Sequence, residues 1–97
     1  MNRLLVPVLA SAFLLAGPAR AGDAPPGASS CTGCHAATKI PDSVIPRIAG
    51  RKSADIATAL LAYRSGAVSS TVMGRIAKGF SDPQIDAIAT WFAAQPE

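Results

Sequence analysis

The chain has 97 residues, a formal charge of +3 and a sequence pI near 9.3, which leaves room for one domain. Charged residues make up 15% and aromatics 5%, with no basic stripe and no reader motif, so a nucleic-acid function has no support. Two cysteines and one histidine, all between residues 31 and 35, are its whole stock of thiol and imidazole groups.

In chain order, the first feature is "MNRLLVPVLASAFLLAGPARA". Arg3 gives a charged start, Leu4 to Gly17 form a mostly apolar run, and Ala19-Arg20-Ala21 has the small-x-small form of a cleavage site. The run is shorter than the ~20 apolar residues that span a bilayer, and Pro7 and Pro18 interrupt it. Residues 1–21 are therefore expected to be a secretory signal cut before Gly22, leaving residues 22–97 as a single domain in the periplasm without a membrane span. The signal takes two of the nine basic residues and none of the six acidic ones, so the remainder carries only +1. A domain of this size buries only about 60% of its unfolded surface and usually needs a covalent or metal staple.

"GDAPPGASS", residues 22–30, reads as a flexible lead-in that becomes a short helix at the cysteines, and Pro41, Pro46 and Gly50 make residues 36–52 a loop. From Ser53, a plausible N-cap, Ile56, Ala59, Leu60 and Tyr63 repeat at helical spacing until Gly66. Residues 67–79, "AVSSTVMGRIAKG", read as a second loop. The last helix opens on a capping box: Ser81 and Gln84 stand three apart, Asp82 suits the helix dipole and Pro83 the first turn. Ile85, Ile88, Ala89 and Phe92 then mark its buried face. No strand pattern or internal repeat is present, so the expected fold is all-α, with about three helices and long loops.

The chemistry concentrates in "CTGCH". A C-x-x-C-H stretch is the attachment signature of c-type haem: two thiols one helical turn apart reach the two vinyl groups of one rigid macrocycle, and the adjoining imidazole meets its iron. A closed zinc site needs four ligands, and residues 22–97 hold no further Cys or His. A thioredoxin-like pair belongs beside a βαβ pattern, and a local disulfide would close too short a loop to stabilise much. Cys31 and Cys34 are thus expected to attach one haem covalently, with His35 as iron ligand. For the sixth position Met73, 38 residues beyond His35, is the one methionine after the signal and lies in a polar context unlike a core. Water, Lys78 or an open position are the alternatives. Iron held by His35 and Met73 has no place left for oxygen or peroxide and passes single electrons.

"CTGCH", the proline-bearing "IPRIAG", the helix ending "AYRSG" and "TVMGRIAKGFSDPQIDAIATWFAAQ" together resemble a class I cytochrome c. The distal part is similar to the haem subunits of flavocytochrome c sulfide dehydrogenases and related small cytochromes of sulfur-oxidising bacteria. The resemblance covers nearly all of residues 29–95. It implies a small class I cytochrome c fold around one covalent haem, thioether links at Cys31 and Cys34, His35 and Met73 as the iron ligands, and a Pro46 carbonyl that accepts the second ring N–H of His35. It further implies that this chain is no enzyme by itself: it receives electrons from a separate flavin-containing sulfide dehydrogenase subunit. A free soluble shuttle to a terminal oxidase or reaction centre is a second expectation, and a gas-binding or peroxidatic haem protein with an open sixth position a third.

The family opens with a helix whose glycine and aromatic pack on the last helix; here Gly27 is present without an aromatic, which leaves Trp91 or Phe92 to cover the haem or a partner. Tyr63 and Trp91 are candidates for a haem propionate. Arg47, Arg51, Lys52, Arg75 and Lys78 are either solvated surface or a ring that steers an acidic partner.

Overall fold

The capping box at the start of the last helix forms as its sequence dictates. In the computed structural model, which describes residues 22–97, the Gln84 backbone N–H donates to Ser81 Oγ (3.4 Å) and the Ser81 N–H donates to Gln84 Oε1 (2.9 Å). The predicted export signal, residues 1–21, lies outside the described residues. Four helices follow one another: α1 (Ser29–Thr32), α2 (Ser53–Ser65), α3 (Met73–Ala77) and α4 (Asp82–Ala93). No strand occurs among the described residues, and none of the helices there is long and apolar enough to cross a membrane.

The apolar face of α4 is buried as its spacing requires, with Ile85, Ile88, Ala89 and Phe92 each at most 3% exposed. It packs on α2, which contributes Ile56 and Leu60; α2 in turn packs on α3, which contributes Ala77. Gly66 ends α2 in the left-handed region (φ 80°) and donates its N–H to the Tyr63 carbonyl, the arrangement a glycine makes without steric cost. At the other end of α2 the expectation shifts by one residue: Lys52 occupies the cap, without a side-chain hydrogen bond, and Ser53 is already helical.

Two expectations are corrected, one of element type and one of packing. Residues 67–79 are not loop throughout, because α3 forms inside them. Its apolar residues Met73, Ile76 and Ala77 stand at i, i+3 and i+4 with Phe80 at i+7, a short helical period masked by the glycine and polar residues around it; Ala77 is fully buried, and the Gly74 N–H donates to Ser70 Oγ (2.7 Å). The aromatic missing from the lead-in is supplied from the far end of the chain. Phe80 lies against Gly27, where a β-carbon would stand 2.5 Å from Phe80 Cε1 and φ is 91°, so only glycine fits. Next to it Ala28 is fully buried. At the C-terminal end of α2, Arg64 Nη1 donates to the Phe80 carbonyl (3.0 Å), and Nη2 pairs with the Asp82 carboxylate.

Candidate functional site

Within the α1 turn the Cys34 and His35 N–H groups both donate to the Cys31 carbonyl, at 3.2 and 2.8 Å. One helical turn therefore carries both sulfurs and the imidazole, and all three line one cavity of about 440 Å³. Met73, the first residue of α3, lines the same cavity. All four residues singled out in the sequence thus border one space, brought there by α1 and α3 from either side of α2 in the chain. Its volume is within the range of about 300–1,000 Å³ usual for cofactor sites. Ile48, Ile56, Leu60, Ile76 and Ile88 give it apolar walls.

The imidazole is held in one tautomer. His35 Nδ1 lies 2.5 Å from the Pro46 carbonyl, and a carbonyl only accepts, so Nδ1 carries the proton and Nε2 keeps its lone pair. This is the hydrogen bond that the resemblance implied, and it is how a metal-ligating histidine is usually oriented. Both thiols are free; Cys31 is buried and Cys34 exposed. Burial pushes the Cys31 thiol above its ordinary pKa, with a smaller opposing pull from the Ser30 side chain, so this sulfur stays protonated at neutral pH. Among the described residues no three His, Cys, Asp or Glu side chains converge as ligands of one ion. Two thiols one turn apart, an imidazole with a free Nε2, a thioether and apolar walls fit a flat apolar group that bears its own iron better than a bare cation.

The mouth of the cavity was missed in the sequence. A turn at Pro41-Asp42, closed by the Ser43 N–H on the Ile40 carbonyl (3.3 Å) with Asp42 at φ 61°, leads into Val44 and Ile45. Both line the cavity together with Val72, yet Val44 is 94% and Val72 55% exposed. Apolar residues in a proline-rich loop without helical period were the available signal: they have no protein core to reach.

Other expectations separate here. Tyr63 lines the cavity, but Trp91 does not: its indole N–H donates to the Gly22 carbonyl (2.9 Å), and its ring stacks edge-on against Phe92 at 4.9 Å. Phe92 belongs to the core. Neither aromatic covers the main cavity; both line a second, smaller one of about 270 Å³ on the C-terminal side of His35. Of the five basic residues, Arg51 alone lines the main cavity.

No protein-family model matches the chain. It is 46% identical over 63 residues to the cytochrome subunit of sulfide dehydrogenase of Chlorobaculum tepidum, a match covering 65% of this chain and 57% of that protein. It is also 36% identical over 95 residues to a thiosulfate dehydrogenase electron acceptor of Thiomonas intermedia, covering 96% of this chain and 44% of that one. A protein of the same description in Stutzerimonas stutzeri is 36% identical over 77 residues, 36% of its length. The chain spans about half the length of these relatives or less. Helices without strands and cytochrome relatives agree with the resemblance drawn from the motifs: this chain has a small all-α fold and resembles the cytochrome subunit of sulfide dehydrogenase.

Proposed function

We propose that the chain is a periplasmic one-electron carrier with a single haem c, joined through Cys31 and Cys34 and ligated by His35 and Met73, and that its electrons come from a flavoprotein that oxidises sulfide. The observation that carries the reading is the cavity that His35, both thiols and Met73 share, with His35 Nδ1 engaged by the Pro46 carbonyl so that Nε2 is the nitrogen available to a metal.

Haem supplies an iron that alternates between two oxidation states. The chain's own residues govern the rest. The two sulfurs fix the macrocycle edge to α1, so the group cannot dissociate between turnovers. Pro46 fixes the orientation of the imidazole ring. Met73 would hold the iron opposite His35 through its thioether, which would favour the reduced state and leave no site for oxygen or peroxide. The apolar walls Ile56, Leu60 and Ile88 keep water away. The chain on its own has transfer, not catalysis, as its task.

Denaturing mass spectrometry of the protein purified from a host that attaches haem c tests the attachment. The expected mass is that of residues 22–97 plus one haem; a haem lost on unfolding contradicts it. Anaerobic mixing tests the donor, with rapid reduction expected from a sulfide-oxidising flavoprotein. A second donor is favoured by one observation, the match to a thiosulfate dehydrogenase electron acceptor along 96% of this chain. Reduction by such a dehydrogenase, and not by the flavoprotein, decides for it.

A further inference from the structure

The segment that carries Met73 is held closed by one side chain at its base. Arg64, in the last turn of α2, donates through Nη1 to the Phe80 carbonyl (3.0 Å) and pairs through Nη2 with Asp82 in the first turn of α4. Between these anchors the chain leaves α2 at Gly66, runs through exposed residues 67–72, forms α3 and reaches Phe80. The N-cap of α3, Val72, makes no side-chain hydrogen bond, Ser70 Oγ takes up one N–H of its first turn, and an isolated helix of five residues has no stability of its own. Where Met73 stands is therefore decided by the frame around it. That frame is also tied to the cysteine side, because Phe80 packs on Gly27, two residues before α1.

We propose that Arg64 is a positioning residue for Met73: its guanidinium closes the 65–79 segment at both ends and thereby holds the thioether on the iron. This rests on the Met73 ligation proposed above. With the fork in place the segment is a closed loop with little freedom; without it, the same residues gain conformational entropy that favours states with Met73 displaced. The geometry requires arginine. One planar fork serves a carbonyl and a carboxylate at once, whereas a lysine ammonium reaches them as a single point donor. The ion pair by itself adds little, since Asp82 is 75% exposed and Arg64 29%. The bond to the Phe80 carbonyl does most of the holding.

Imidazole added to the ferric holoprotein competes with Met73, and its apparent affinity rises with the fraction of molecules in which Met73 is off the iron. In Arg64→Ala the affinity is expected to rise about tenfold, which corresponds to about 1.4 kcal/mol. Arg64→Lys is expected to raise it severalfold, and it serves if the alanine variant does not fold. A purely structural Arg64 would lower the denaturation midpoint and leave imidazole affinity unchanged in the folded protein; that result in any folded variant overturns the proposal. Failure of the ligation reading looks different: the wild type then lacks the methionine-to-ferric-iron absorption band, or binds imidazole no less tightly than Met73→Ala. A wild type with the band and Arg64 variants with wild-type affinity refute the positioning role alone.

Discussion

Ile85 and Val44 illustrate two regions built on different terms. On the α2–α4 side, Ile85, Ala89 and Phe92 bury against protein, the helix start is fully capped, and the space is filled by the chain's own side chains. On the cavity side, Val44 and Val72 are apolar, border the site and remain exposed, and the loops that carry them have few backbone bonds of their own. Ile56, Leu60 and Ile88 belong to both regions, buried in the core and lining the cavity. In a chain this small one half of the packing is protein against protein, and the other half is laid out for a group the chain does not encode.

The strongest way to break that comparison is to deny the cavity its covalent anchors. Cys31→Ala/Cys34→Ala is expected to lose the cooperative thermal transition altogether, by analogy with other small domains that fold on their metal. A calorimetric transition like that of the wild type would mean that the α2–α4 pair suffices alone. Next, Ile85→Ala and Ile88→Ala separate the two regions. Each is expected to cost about 2–5 kcal/mol in denaturant titrations, but only Ile88→Ala, which also lines the cavity, should alter the haem absorption spectrum of the folded protein. Gly27→Ala places a β-carbon into Phe80 at a left-handed φ; about 1–3 kcal/mol is expected, read as a lowered denaturation midpoint. The smallest effect is that of Ser81→Ala, about 1 kcal/mol from the lost cap, with no change in the haem spectrum.

The same division governs what could be read in the sequence. The helix α4 was legible to its first residue, because capping, dipole and apolar period are all local and agree. The end of α2 at Gly66 was legible for the same reason. Cys31, Cys34 and His35 stood out because their spacing is set by the chemistry they fit, and Met73 because it is the one methionine after the signal, with water, Lys78 or an open position as its alternatives. The helix α3 escaped because glycine and polar neighbours mask its short apolar period, whereas two other misses depend on contacts distant in sequence: Phe80 replaces an aromatic sought near the lead-in, and Trp91 turns to Gly22 instead of the cavity. Arg64 escaped because a lone arginine at a helix end reads as dipole complement or solvated surface, and its two acceptors lie 16 and 18 residues away.

The central claim is that His35 and Met73 close the iron between them. The ferric wild-type protein, titrated by potential while its long-wavelength methionine-to-iron band is followed, tests it most directly. The band should be present in the wild type and absent in Met73→Ala, whose potential should fall and whose reduced form should bind carbon monoxide readily. A wild type without the band, or a Met73→Ala variant that keeps both band and potential, would contradict the account.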